Sequence, residues 1–463
     1  MAKEIERFPL GKKLLYSSGV IGYTIADRIW VTFMFFFYLP PAESGMKELI
    51  PNVTIWWIFT AAGMVTIFGR IIDAIADPLV ASWSDRSTSP RGRRKVLMFW
   101  GGLPLMASAA LIFFPPYAEA GIGNVIYLAV MLGALLFFFT VYVVPLLALI
   151  PELTHTNEER MNLVTIQAAF SLLGVVIVMI GGYILWDFIG KTGLAKDSSL
   201  QLTVVILSAF GLIFCYLAII PIDEKRYCRT VPTETSLMES LTMTLTNGAF
   251  LAYMLGTVCF WFGLNIVSQG AAFYVTVLLQ KDVSFASVVF GAVFGVAFIF
   301  FPVINALTRF IAKKTIMIVS LAIFGLGAGA IYWLGSDVLI IPPAYQPFVI
   351  FGILGIPVSV LLMVPNAMIS DVAEYDSIKT KTNREGMFFG AQGLVQKLNL
   401  GISALIFAFL LTKGKDVAEP LGVRLSGPVV TIVCVIGIII FLLYPEKKIM
   451  GVLEEKRAKE KKG

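Results

Sequence analysis

The sequence predicts an all-α membrane protein with twelve transmembrane helices arranged as two pseudo-symmetric six-helix halves. Three observations carry this. The 463 residues are 58% hydrophobic and only 14% charged, with a mean hydropathy of +0.84, whereas a soluble chain is about 25% charged. Twelve apolar runs reach the roughly 20 residues that a helical span requires. The 36 Lys and Arg residues are also sorted: 26 lie in the tails and even-numbered connections, 7 in the odd-numbered ones and 3 inside spans. That asymmetry predicts a multi-pass protein of the cell membrane with both termini in the cytoplasm.

The runs are 14–38, 55–82, 96–115, 125–150, 163–187, 202–222, 247–279, 285–307, 315–335, 347–369, 386–411 and 428–445. The first 13 residues are polar and basic, and the run behind them is too long for a signal-peptide core, so it reads as the first span. Forty Gly and 36 Phe suit a lipid-solvated bundle, because small residues let helices approach closely. The net charge of +6 reflects the loop asymmetry and implies no nucleic-acid partner. Cys215, Cys228, Cys259 and Cys434 have no metal-ligand spacing. The one histidine, His155, falls in a polar loop, which leaves no intramembrane histidine for a proton relay.

The longest hydrophilic connection lies between spans six and seven. It divides the chain into a first half (1–222), a connecting loop (223–246), a second half (247–445) and a basic tail (446–463). The stretch DRSTSPRGRRK after span two is faintly echoed by NALTRFIAKK after span eight, as a parallel repeat predicts.

Charges inside the spans mark the functional candidates. A carboxylate near the middle of a membrane helix costs about 2.5–3.5 kcal/mol on insertion scales, so it is retained with a partner and a purpose. Span one holds Tyr23, Thr24, Asp27 and Arg28; the Asp27–Arg28 neighbours make either a structural pair or part of a substrate path. Span two holds Arg70, Asp73 and Asp77. The two acids are four apart and share a helix face. Arg70 can neutralise Asp73, and Asp77 then calls for another cation. Thr140 in span four offers a hydroxyl oxygen, either to an ion or to its own backbone, five residues before Pro145. Lys397, mid-span in AQGLVQKLNLG, needs a carboxylate or a cavity, and Asp73 and Asp77 are its expected partners. A bound monovalent cation would compete with that lysine for the two acids.

The stretches RIIDAIADP, VPLLALIPELT and SDVAEYDSIKTKTNREGMFFGAQGLVQK resemble the glycoside–pentoside–hexuronide:cation symporters, the melibiose permease family of the major facilitator superfamily. The resemblance runs over nearly the whole chain. It implies a cation site at Asp73, Asp77 and Thr140 with Lys397 close by, sodium or a proton as coupling ion, and no other cofactor. The family's asparagine before the second acid is Ala76 here. Its sugar-binding positions fall on Thr24, Val143, Leu147 and Ala168, so a melibiose-like galactoside is not expected. Tyr23, Thr24, Asp27, Arg28, Gln167, Trp261, Asn265, Gln269, Gln392 and Asn399 are the substrate-cavity candidates. The same branch includes sodium-dependent lysophospholipid symporters, which makes a lipid-like substrate the alternative.

A membrane enzyme would need a nucleophile or metal cluster, yet there is no H-E-x-x-H and no G-x-S-x-G. A channel would need a filter sequence, and none is visible. The expected protein is therefore a monomeric transporter and not an enzyme. Asp85, Arg86, Arg93 and Arg94 in the first half, and Asp371, Glu374 and Arg384 as their cytoplasmic counterpart in the second, are the expected gating charges.

Overall fold

A computed structural model of the chain describes residues 7–87, 89, 92–154, 156–228, 247–380 and 385–460. Among these residues are twelve long helical segments. The first six are α1 (Leu10–Tyr38), α2 (Ala61–Arg86), α3 (Arg93–Leu111), α4 (Ile122–Leu153), α5 and α6 (Lys196–Ile219). Segment α5 runs from Asn157–Val176 through a π-helical turn, Ile177–Gly182, into Tyr183–Gly190. The next six are α7 (Gly248–Phe273, continued by the π-helical Tyr274–Leu278), α8 (Ala286–Leu307), α9 (Lys313–Ala330), α10 (Gln346–Thr380), α11 (Glu385–Leu411) and α12 (Leu421–Leu442). A polar helix, α13 (Glu446–Glu460), follows.

Ten of the twelve are long and apolar enough to cross a membrane by length and composition alone. The other two, α2 and α3, fall short because α2 carries Arg70, Asp73 and Asp77, and α3 opens on Arg93, Arg94 and Lys95. The charges that weaken the hydropathy of these helices are those the site and its supports use.

Several boundaries differ from the sequence reading, α12 beginning at Leu421 rather than 428 among them, and two of the differences change what a segment is. The second apolar run was expected from residue 55, but Thr54–Trp56 and Phe59–Thr60 form a small antiparallel hairpin. β-branched and aromatic residues favour extended backbone there, and α2 starts only where the Thr60 hydroxyl accepts the Gly63 N–H at 3.1 Å. The tenth run was expected to end at residue 369, but α10 continues to Thr380. Asp371, Glu374 and Asp376 therefore lie on a helix, not in a loop.

The described chain clusters into two compact units, one built on α1–α6 and one on α7–α13; Lys281–Ser287 count with the first. Within the first unit, α1 packs on α5 and α6, and α3 packs on α4 and α6. Within the second, α7 packs on α11 and α12, and α9 on α10 and α12. The pairings match when each helix is advanced by six, as an internal duplication requires.

Glycine makes the equivalent contacts possible. A Cβ on Gly22 of α1 would lie 2.8 Å from the Gly211 carbonyl of α6, and a Cβ on Gly437 of α12 would lie 2.8 Å from Cys259 Cβ of α7.

Each unit also fastens one helix start with a single buried amide. Asn124 of α4 donates to the carbonyls of Leu49 (2.9 Å), Tyr117 (2.9 Å) and Glu119 (3.1 Å). Gln346 of α10 donates to Ser336 O (2.7 Å) and Ile341 O (2.9 Å) and accepts from Gly335 N (2.7 Å). Both residues are fully buried, so these bonds satisfy loop carbonyls that would otherwise be stranded.

Candidate functional site

Asp73 and Asp77 project from one face of α2, and α4 brings Thr140 to them. The Thr140 Oγ1 lies 2.9 Å from Asp73 Oδ1 and 3.2 Å from Asp77 Oδ1. Of the two readings open for this threonine, its hydroxyl serves the carboxylates and not its own backbone. Asp73 is 1% exposed and Thr140 1% exposed, whereas Asp77 is half-buried. Three hard oxygen atoms thus converge next to a helix whose Pro78 interrupts the backbone ladder. This donor set suits a monovalent cation bound through oxygen. Ala76, where the family's asparagine would stand, is buried and adds no donor.

Arg70, three residues before Asp73, donates from Nη1 to Asp73 Oδ2 at 3.0 Å, and both side chains are buried. Its guanidinium also lies over the Trp30 ring of α1, 5.2 Å from the centroid. Arg70 therefore offsets one of the two negative charges and leaves the pair with a formal charge of about −1, which one monovalent cation balances. Sequence reasoning treated Arg70 as a neutraliser and gave Trp30 no part; the stacking has no signature in a linear sequence.

The remaining candidates of the first unit divide by environment. Asp27 and Arg28 pair with each other at 2.7 Å, both about one-fifth exposed. Tyr23 stands edge-on to Phe139, with centroids 5.6 Å apart. Thr24 is buried against Gly174 of α5, where an added Cβ would lie 2.8 Å from the Thr24 Cβ. Gln167 of α5 is buried, with no hydrogen-bond partner for its Nε2 among the described residues.

In the second unit, Trp261, Asn265 and Gln269 repeat every four residues on α7 and so share a face. Asn265 and Gln269 are buried; both polar ends of the Gln269 amide, and the Trp261 Nε1, have no hydrogen-bond partner among the described residues. On α11, Gln392 accepts from the Tyr253 hydroxyl at 2.9 Å, and Asn399 is buried with no partner for its Nδ2 among the described residues. Lys397 is half-buried on the same helix. The first unit thus concentrates charge, and the second presents neutral amides that both donate and accept.

The expected gating charges are used within their own units. Glu152, at the end of α4, accepts from Arg93 Nη2 (2.6 Å) and from Arg94 Nη2 (2.7 Å) and Nε (3.0 Å). Glu224, just past α6, grips the start of α3: its carboxylate accepts the backbone N–H groups of Arg93 (2.9 Å), Arg94 (2.9 Å) and Lys95 (2.8 Å).

The second unit repeats the device. Glu446 accepts Lys313 N (2.7 Å) and Lys314 N (3.0 Å) at the start of α9, and Lys313 pairs with Asp371. A carboxylate on these first-turn amides complements both the unpaired N–H groups and the helix dipole. Glu374 pairs with Lys456 of α13 at 3.1 Å. The side chains of Asp85 and Arg86 lie outside the described residues, as do Arg384, His155 and most of the connecting loop. Sequence reasoning missed Glu152, Glu224 and Glu446. The only trace was the repeated Pro-to-Glu pattern after spans six and twelve, PIDEK and PEKK.

These supports leave a reporter at Cys228. Burial pushes its thiol up to about 12, helped by the negative charges of Glu152 and Glu224. Against an ordinary value of 9.0, that is three decades, so the thiolate fraction at pH 8 is about a thousandfold lower. The folded chain is expected to resist maleimide at Cys228 at pH 8 and to react fast once unfolded. Equal rates in both states would show that the thiol is not shielded.

The MFS/sugar transport protein family matches the chain over residues 15–444. The chain is similar to the uncharacterized symporter sll1374 of Synechocystis sp., 24% identical over 89% of this chain and 87% of the relative. It is also similar to the isoprimeverose transporter of Lactiplantibacillus pentosus, 22% identical over 89% and 82%. Among solved structures, a bacterial homolog to the human lysosomal transporter Spinster, inward-facing and unoccupied, has a TM-score of 0.65 at 13% identity and covers 94% of this chain and 95% of its own. That likeness shows the fold alone. With the family match spanning almost all of it, the chain belongs to the MFS/sugar transport proteins, in the glycoside–pentoside–hexuronide-like branch of the major facilitator superfamily.

Proposed function

We propose that the protein is a cation-coupled symporter of a glycoside-like solute, working by alternating access, with Asp73, Asp77 and Thr140 holding the coupling ion. The observation that carries this is the single hydroxyl of Thr140 within 2.9 and 3.2 Å of both span-two carboxylates. Lys397 is the proposed coupling charge, on the strength of its match to the family lysine. The basic asymmetry of the loops supports a cell-membrane orientation with both tails cytoplasmic.

The relatives support the substrate class, since one is named a symporter and another an isoprimeverose transporter. The amides and indole on α7 and α11 also suit hydroxyl-rich rings, which need groups that both donate and accept. The sugar-binding residues of a melibiose site, three charges and a tryptophan, are replaced at Thr24, Val143, Ala168 and Leu147, so the solute is a different glycoside. The lysophospholipid alternative has no support among these relatives.

The ion is tested by thermal stability of the purified chain in sodium, lithium or choline at equal ionic strength. A ligand at 100 times its Kd stabilises the folded state by about 2.7 kcal/mol. A rise in Tm with sodium but not with choline is expected of a sodium symporter. A proton-coupled chain shows no such cation preference, but its Tm moves with pH through the carboxylate range. Neither response would remove the proposal.

A further inference from the structure

The hairpin between α1 and α2 is built in a way that a water-facing turn would not be. Its tip exposes Val53 (58%), Ile55 (59%), Trp56 (66%) and Trp57 (81%). Trp56 stacks on Phe59, with centroids 5.9 Å apart and planes 12° from parallel, and lies 5.9 Å from Trp57. Trp57 has a φ of +51°, a region that glycine or asparagine ordinarily occupies and that a bulky residue adopts at a cost.

The base, in contrast, is fixed. Leu49 N donates to Tyr38 O at 3.1 Å, Asn124 donates to Leu49 O at 2.9 Å, Ile50 is fully buried, and Thr60 caps α2. A rigid base with a strained tip that is apolar except for Thr54 presents the two indoles outward by construction.

What lies beside the tip identifies its partner. The hairpin runs directly into α2, whose exposed face is an apolar stripe: Met64, Phe68, Ile71, Ile75, Leu79 and Trp83. Their spacing of three and four residues keeps them on one side of the helix. From Ala61 to Trp83 the helix rises about 33 Å, close to the roughly 30 Å of a bilayer's hydrocarbon core. Tryptophans therefore bracket a stripe of membrane thickness, Trp56 and Trp57 above it and Trp83 at its other end. Indole, with an apolar body and one polar N–H, favours the boundary between headgroups and acyl chains.

We infer that the Val53–Phe59 tip is a membrane-interface anchor, seated in the lipid headgroup region at the end of α2 opposite the arginine-rich loop. Its consequence is positional. Asp73 sits about 18 Å along α2 from Ala61 and about 15 Å from Trp83, so an anchor at the hairpin fixes the carboxylates near the bilayer midplane. The strain at Trp57, which arises from its Cβ, is tolerated because the indole on that residue seats the helix.

The test is a difference measurement on the full chain in lipid nanodiscs. Tryptophan fluorescence of the natural chain is compared with that of a Trp56→Ser/Trp57→Ser variant. The quenchers are phosphatidylcholine brominated high on the acyl chain, phosphatidylcholine brominated near the chain end, and aqueous iodide. The emission lost in the variant is expected to be quenched several-fold more strongly by the shallow bromine than by either other quencher. If that emission is quenched mainly by iodide, the tip stands in water and the anchor is wrong. Shielding from iodide that appears only on adding a sugar, or only at high protein-to-lipid ratio, overturns it equally, in favour of a carbohydrate platform or a contact between copies.

If the double variant does not fold, Trp57→Gly carries the same comparison. Glycine suits the positive φ, so this variant keeps the hairpin and is expected to match the natural chain's Tm in detergent while losing the part of the shallow-bromine signal that Trp57 carries.

Discussion

Asp73→Asn is expected to abolish cation-driven accumulation of solute and to lower the stability of the folded chain, for two separable reasons. Electrostatically, the carboxylate is one of two that face Thr140, and with Arg70 bound to it the pair carries a formal charge of about −1. Replacing it with an amide leaves Arg70 and Asp77 to cancel, so an entering cation meets no net attraction. A loss of at least about 100-fold in uptake, equivalent to about 2.8 kcal/mol, is the expected scale. Structurally, the buried guanidinium of Arg70 loses its counter-charge. Breaking a buried ion pair costs about 3–5 kcal/mol; Asn can still accept one bond from Arg70, which favours the lower end. The two effects come apart in Asp73→Asn/Arg70→Gln, which removes the stranded charge and is expected to regain much of the Tm. Asp77 then restores the net charge of about −1, but one of the two carboxylates facing Thr140 is still missing, so uptake is expected to stay well below that of the natural chain. Proteoliposome uptake and Tm are measured on both variants. A cation-specific rise in Tm that survives Asp73→Asn would place the ion elsewhere, and a double variant no more stable than the single one would show that Arg70 was never stranded.

What the sequence could disclose depends on whether a feature is local. Hydropathy is local, so twelve helical segments were countable, and α1, α4 and α7 begin and end within a few residues of expectation. The acids of α2 were visible because a charge inside an apolar run has no other excuse. The partnership with Thr140 came from resemblance: 67 residues separate it from Asp73, and no periodicity links them.

The start of α2 was misplaced because 55–60 is as apolar as a span. It is backbone preference and the Thr60 cap, not hydropathy, that make it a hairpin. Glu152, Glu224 and Glu446 were missed for a related reason. Each is an ordinary loop-edge acid in sequence, and its role exists only once another helix start is brought within hydrogen-bond reach. Advancing by six the pairings of α1 with α5 and α6 and of α3 with α4 and α6 recovers those of the second unit, and the helix-start supports correspond even where residues differ, as Asn124 and Gln346 do.

Among those supports, Glu152→Gln is expected to have the largest effect on stability. A single carboxylate there serves two guanidinium groups, and both it and Arg94 are buried. Removing its charge leaves Arg93 and Arg94 side by side with like charge, so a loss of about 3–5 kcal/mol is expected. Asp371→Asn frees only one lysine, and that pair is about one-fifth exposed, so solvent screening makes the loss smaller. Glu224→Gln removes a charge from a helix start and one of its two accepting oxygens, keeping one for the amides of Arg94 and Lys95; about 0.3–1 kcal/mol is the scale of the dipole interaction lost. The order Glu152, Asp371, Glu224 in Tm loss is the expected result, and an equal loss at all three would show that charge pairing is not what these acids supply. Cys228 gives an independent reading. The negative charge of Glu152 helps raise its thiol, so Glu152→Gln must lower that pKa, increase the thiolate fraction at pH 8 and speed maleimide labelling in the folded chain. Arg94→Gln removes a positive charge that opposes the shift, and must slow it. Opposite changes in labelling from two substitutions at one ion pair distinguish altered electrostatics from simple loosening of the fold, which would speed both.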